Sequence, residues 1–320
     1  MSGKNAPHGE HAKLLVPDEG GIGEAAAILR SGGLVAVPTE TVYGLAARAD
    51  SAEAVARIYA TKGRPDFNPL IVHVQGLDQA QRLARFDRRA LDLAERFWPG
   101  PLTLVLPLAE SASVAAAVTA GLPTIALRQP EHRVMQRLLE RVGTPLAAPS
   151  ANRSAELSPT QPDHVVRSLG DACPPLLDGG PCRAGLESTI VALRDNGAWS
   201  LLRPGPVTRE TLARILGVDL EEASDGIEAP GQLARHYSPG KPIRLGAELA
   251  APDEYLIGFG ALAGDCTLSR DGDLSEAAAR LYECLHRAAA APSPAIAVAP
   301  IPDEGIGQAI NDRLRRAASD

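Results

Sequence analysis

Apolar residues recur along this chain in short runs set between stretches of helical spacing. EAAAILRSG places alanine, isoleucine and leucine on one helical face and stops on a glycine, and LVAV directly after it reads as a short buried strand. SAEAVARIYATKG repeats the device with a serine start and a glycine stop, and LIVHV follows as a strand. RALDLAERFW and EHRVMQRLLERVG predict two further helices. LTLVLPL, TIALR, PLAAPS, PPLLDGG, STIVAL and WSLLRPG predict further strands. The mixture points to an α/β protein built on a large twisted mixed sheet with helices on its faces.

The period is lost after RPGPVTRETLARILG. Residues 217–241 carry acidic residues, Gly, Ser and Pro without apolar rhythm, and they predict a linker. Beyond it, IRLG, YLIGFG and AIAVAPI predict strands. LSEAAARLYECLHRAAA and IGQAINDRLRRAAS predict helices. This is a second, smaller, Rossmann-like α/β unit. The polar residues 1–14 are expected to be a disordered tail. The predicted division is therefore 1–14, a large unit over 15–216, the linker 217–241 and a small unit over 242–320. No solenoid repeat is present.

With 320 residues the chain can bury two cores. A net charge of -7 argues against a generic nucleic-acid coat and leaves room for a local basic cleft. Cys173, Cys182, Cys266 and Cys284 form no C-x-x-C pair, which removes zinc-ribbon and thioredoxin readings and suits a reducing compartment. The start lacks an apolar signal core and no apolar run reaches membrane-span length, so a cytoplasmic protein without a membrane partner is expected.

The familiar phosphate loops fail. Gly180-PCRA-Gly185 has P-loop glycine spacing, but Leu186 and Glu187 stand where Lys and Ser/Thr are needed. Gly258-F-Gly260-ALA-Gly264 has its third glycine one position late for a dinucleotide fingerprint, and a tight turn is the better reading. Zinc-protease, α/β-hydrolase and EF-hand patterns are missing.

Four polar clusters remain, each predicted at a strand end or on a connecting loop, where open α/β sheets bind ligands. PTETVYGL offers three hydroxyls and a carboxylate. TKGRPDFNPLIVHV offers Lys62, Arg64 and Asn68 on a loop stiffened by Pro65 and Pro69. Helix-dipole pairing could account for one of those two cations. His73 in the strand reads either as a hydrogen-bonded core residue or as a ligand-binding one. APSANRSAELSPT gathers small residues and hydroxyls beyond what one N-cap needs. ESTI, with Arg203 in LLRPG and with Thr124 and Arg128 in TIALR, adds hydroxyls and guanidinium forks. Such clusters position and neutralise anions, with no Ser-His-Asp set and no cysteine–histidine pair beside them. Nucleotide transfer, which works by positioning and electrostatics, fits them.

In this order, PTETVYGL, KGRPDFNPLIVHV, TIALR, APSAN and STI resemble the YrdC-type threonylcarbamoyl-AMP synthases. HYSPGKP and PDEGIGQAINDRLRRA resemble the two-domain, Sua-type branch. The resemblance spans about residues 17 to 318. It implies a nucleotidyltransferase that makes threonylcarbamoyl-AMP and pyrophosphate from L-threonine, bicarbonate and ATP, with magnesium (Mg2+) accompanying the nucleotide. The product would pass to the tRNA threonylcarbamoyl-transferase machinery for modification of adenosine 37. By similarity, threonine would meet Thr41, His73, Arg128, the backbone near Ala148, and Ser188. ATP would meet Lys62, Arg64, Asn68, Thr124, Ser150, Asn152, Ser158 and Arg203, with Lys62 and Arg64 as the catalytic cations. His236 and Tyr237 of the linker would lie over the nucleotide, and the QLA lead into RHY departs from the usual basic-aromatic-basic approach. No side chain is expected to ligate a metal. Two other readings compete: carbamoyl transfer, as in hydrogenase maturation, and a non-catalytic RNA-binding module with a basic concave face for tRNA or rRNA; weak RNA binding is also compatible with the synthase reading.

Overall fold

A computed structural model describes residues 12–217, 220–221, 226–232 and 236–319. Most of the expected tail lies outside these residues, as do Leu233, Ala234 and Arg235 of the QLAR approach. The tail is nevertheless shorter than expected. Leu14–Leu15 form strand β1, which pairs in parallel with Leu176–Leu177 (β8). Leu15 is buried there, so its apolar side chain outweighs the polar neighbourhood that suggested fraying.

The large sheet also contains β2 (Val35–Val37), β3 (Gly44–Arg48), β4 (Ile71–His73), β5 (Leu102–Pro107), β6 (Thr124–Arg128), β7 (Leu146–Ala147), β9 (Thr189–Leu193) and β10 (Trp199–Arg203). Its order is β1-β8-β2-β3-β7-β4-β6-β5-β9-β10, with parallel and antiparallel neighbours mixed. The GLAAR strand β3 escaped the pattern because its small residues are buried on both faces, leaving no alternation to read.

Helix α1 (Glu19–Arg30) starts where the Asp18 carboxylate accepts from the Gly21 amide. Helix α2 (Ala52–Lys62) starts on Ser51 in the same way and ends on Gly63 at φ +59, the left-handed cap. Helices α3 (Leu77–Gln81), α4 (Arg88–Phe97), α5 (Ala116–Thr119), α6 (Arg133–Val142), α7 (Pro162–Leu169) and α8 (Arg209–Leu216) complete the large unit. Val72, Leu127, Leu104 and Val191 join the main core. The alternate positions of the same strands, Ile71, Ala126, Val105 and Ala192, form a thin apolar layer on the other face. Ala229 of the linker packs against it.

The small unit is a four-stranded parallel sheet of β11 (Ile243–Leu245), β12 (Glu254–Gly258), β13 (Cys266–Thr267) and β14 (Ala295–Val298), in the order β11-β14-β12-β13. Helices α9 (Leu274–Ala290) and α10 (Gly307–Ala317) pack on it. The GFGALAG segment is a tight turn. A Cβ on Gly258 would lie 2.2 Å from the Leu262 carbonyl oxygen, so backbone touches backbone where a dinucleotide would need room. Cys266 and Cys284 form a disulfide joining β13 to α9, whereas Cys173 and Cys182 are free. The two bonded positions are brought together by packing, which sequence spacing does not reveal. Among the described residues no helix is long and apolar enough to cross a membrane.

Candidate active site

Ile71 and His73 alternate onto one face of β4, and their parallel register places Ala126 and Arg128 of β6 beside them. The cleft therefore opens over a face of the sheet, not only at the strand ends where the polar clusters were expected. Thr41, Arg64, His73, Arg128, Ala148, Ser150, Ser188 and Arg203 line it, joined by linker residues including Pro230, His236 and Tyr237.

Arg128 forms the floor. It is buried, and three of its N–H directions are spent. Nε donates to the Gly100 carbonyl at 3.2 Å, Nη1 to Thr41 Oγ1 at 2.9 Å and Nη2 to Glu40 Oε1 at 2.5 Å. Two of its five N–H groups remain for a ligand. Glu40 Oε2 has no hydrogen-bond partner among the described residues. Beside this pair, burial and then the Arg128 charge push His73 down to about 3, which keeps its imidazole neutral. Its buried Nδ1 has no partner among the described residues. His73 lines the cleft, while backbone hydrogen bonds to Ile71 and Leu146 also act on its ring, so it combines a core position with a cleft-facing one.

Lys62 ends α2, yet its ammonium does not turn to its own helix. It reaches across to donate to the Ser150 carbonyl at 2.6 Å and to the Asn152 carbonyl. Burial, then the neighbouring Arg64 charge, sets its pKa well below the usual lysine value. The helix-dipole reading thus fails for Lys62. Arg64 braces its own loop through the carbonyls of Asn68 and Pro69, at 3.2 and 2.9 Å, and still lines the cleft. Burial is the main cause that lowers it to about 10. Asn68 and Asn152 are buried behind this wall, each with its side-chain carbonyl lacking a partner among the described residues.

On the opposite wall, a register shift between Leu201 and Arg203 in β10 brings Arg203 against Ile190 of β9. Its Nε donates to the Ser188 carbonyl at 3.0 Å and its Nη2 to Ser188 Oγ at 3.1 Å. Thr103 Oγ1 lies 2.7 Å from Ser188 Oγ, so two side chains fix that hydroxyl. The remaining Arg203 branch donates to the linker carbonyl of Pro230 at 3.3 Å.

The linker closes the cleft from above. His236 packs edge-on against Tyr237, and burial pushes the His236 imidazole down to about 3. Tyr237 sits at φ +66, a conformation rare for a bulky residue. With these side chains in place the cleft holds a free space of about 50 Å³, well under the roughly 300 Å³ where ligand pockets begin.

Five expected residues do not line the cleft: Lys62, Asn68 and Asn152 stand behind its wall, and Thr124 and Ser158 fall elsewhere. Thr124 lies at the far end of β6 from Arg128. Ser158 is buried behind the cleft and gives its hydroxyl to Glu187 Oε1 at 2.5 Å. Sequence reasoning noted the Glu40 carboxylate without giving it a role and gave none to Glu187, although both stood inside quoted motifs. Glu40 lies between two threonines, a pattern that signals a buried counter-ion, whereas Glu187 has a hydroxyl neighbour on one side only. Pro230 and Gly231 carried no such signal.

A mixed-sheet α/β fold whose cleft gathers guanidinium forks and hydroxyls around a neutral imidazole is a class of anion-positioning site. Comparison with known proteins narrows the class. The Sua5/YciO/YrdC family model, described as "Telomere recombination", matches residues 27–205, and a model described as "Threonylcarbamoyl-AMP synthase, C-terminal domain" matches 207–319. The chain belongs to the Sua5/YciO/YrdC family, in its two-domain branch. A relative from Bacillus subtilis (strain 168), named threonylcarbamoyl-AMP synthase, is 38% identical, with 93% of this chain and 92% of that one covered. The crystal structure of Pyrococcus abyssi Sua5 complexed with L-threonine superposes with a TM-score of 0.87 at 35% identity, covering 96% of this chain and 97% of that one. A HypF structure shares the fold at 18% identity and a TM-score of 0.51.

Proposed function

We propose that this protein is a threonylcarbamoyl-AMP synthase. It joins L-threonine, bicarbonate or dissolved carbon dioxide, and ATP into threonylcarbamoyl-AMP, releasing pyrophosphate. The observation that carries the reading is the convergence of Arg64, Arg128, Arg203 and neutral His73 on one cleft, within a chain matched along its length by synthases. Arg128 offers its two free N–H groups to the threonine carboxylate, with Thr41, Ser188 and the Ala148 backbone around it.

The threonine amine adds to carbon dioxide and loses a proton, giving a carbamate. A carbamate oxygen then attacks the α-phosphorus of ATP as the bond to the pyrophosphate oxygen breaks. The substrate supplies the nucleophile, which fits a cleft without a side-chain one. Arg64 and Arg203 offset the growing phosphate charge. Magnesium enters with the nucleotide, held by phosphates and water. The linker excludes water from two hydrolysable species, the carbamate and the mixed anhydride. The product serves threonylcarbamoylation of tRNA adenosine 37 by a separate transferase.

Purified protein should release pyrophosphate from ATP only when threonine and bicarbonate are both present. Equal release without threonine would rule the reading out.

A further inference from the structure

Helix α10 of the small unit sends one side chain to the border of the cleft. Arg313 is fully buried and meets four partners at once. Its Nε donates to Glu187 Oε2 at 2.9 Å, its Nη2 to the Pro204 carbonyl at 3.0 Å and its Nη1 to Asp312 at 2.7 Å. Its guanidinium carbon lies 5.3 Å from the centroid of the Tyr237 ring, cation-π range. Glu187 precedes Ser188, Pro204 follows Arg203, and Tyr237 belongs to the linker over the cleft. All three contacts therefore end on segments that border the site.

Glu187 is the junction. Its carboxylate also accepts from Ser158 Oγ at 2.5 Å and from Tyr282 of α9 at 2.9 Å. Burial would raise its pKa, but Arg313 and then Arg203 hold it down at about 2, so it stays ionised. A buried ion pair is a poor device for stability alone, because well-packed apolar residues of similar volume often do as well. It does fix geometry, since a planar fork accepts its partners in one arrangement.

We infer that Arg313, carried by the small unit, is a positioning residue of the cleft: it holds Glu187, and with it the Ser158 and Ser188 segments, while its guanidinium face seats Tyr237 and so keeps the linker closed. The kinetic part of this inference rests on the proposed synthase activity. The linker part does not.

Arg313→Lys in the full chain keeps the charge and loses the fork. It should fold with a melting temperature near wild type. Its kcat/KM for threonine-dependent pyrophosphate release should fall at least tenfold, and amide hydrogen exchange over 226–232 and 236–238 should be at least tenfold faster. A second variant, Arg313→Met with Glu187→Gln, removes both buried charges and guards against a misfolded single variant. It should show the same two changes. Exchange there at the wild-type rate in both folded variants would overturn the inference, whatever the kinetics. Failure of both to fold would also overturn it, by making Arg313 a residue of stability. If the wild type releases no threonine-dependent pyrophosphate, the synthase reading falls and the exchange rates still decide the role of Arg313.

Discussion

Arg128 and Glu40 form a buried ion pair at 2.5 Å on the floor of the cleft. Glu40 therefore stands where an incoming carboxylate would share the same guanidinium. Glu40→Gln keeps the shape and strands the Arg128 charge, which should cost about 3 kcal/mol of stability. Threonine would restore a negative charge to that place. Its addition should raise the melting temperature of Glu40→Gln more than that of wild type, measured by thermal unfolding with and without threonine. Equal shifts in the two proteins would exclude this shared role.

Arg64 tests the nucleotide wall. Arg64→Ala should lower threonine-dependent pyrophosphate release at least about a hundredfold, equivalent to roughly 2.7 kcal/mol of transition-state stabilisation. The variant also loses the braces to Asn68 and Pro69. A fall of only a few degrees in melting temperature is expected for such a loop contact, near 1 kcal/mol. A large fall in melting temperature with activity per folded molecule kept would make Arg64 a structural brace.

Much of this cleft was legible because its motifs sit on strongly patterned elements. LIVHV is an apolar run broken only by His73, and TIALR is a short apolar run bounded by Thr124 and Arg128. Their side-by-side register was not legible, because strand pairing is set by contacts far apart in sequence. The same limit hid Glu187. Its donors Tyr282 and Arg313 come from a second unit 95 and 126 positions away. Strand β3 was missed for a local reason, since a strand buried on both faces shows no alternation.

The linker contact can be loosened at one atom. Gly231 sits at φ +87, and a Cβ there would lie 2.9 Å from Arg203 Cδ. Gly231→Ala should strain the closed linker by about 1–2 kcal/mol. Amide hydrogen exchange over 226–232 should accelerate about tenfold, with β9 and β10 unchanged. Unaltered exchange across 226–232 would show that the close approach does not hold the linker.

His164 and His286 stack with ring centroids 3.7 Å apart between the two units. Burial is the leading cause that lowers them to about 3 and about 4. Both folded values lie below the ordinary 6.5, so the unfolded chain binds protons more readily in between. Stability should therefore fall as pH drops below about 6.5, by up to roughly 1.4 kcal/mol per pH unit for each histidine. His286→Gln can keep a donor to the Ser158 carbonyl and removes one titrating group. Urea unfolding between pH 6 and 4.5 should show a slope flatter by about that amount, and parallel slopes would refute it.

The Glu187 junction bears on how such genes can be cut and rejoined. A chain truncated near residue 205 would keep this carboxylate and lose Tyr282 and Arg313 with the segment that encodes them. Glu187 would then exchange two side-chain partners for water on the face that Tyr282 and Arg313 now cover, and keep Ser158 as its donor. The boundary between the two units thus runs through one carboxylate, held from both sides.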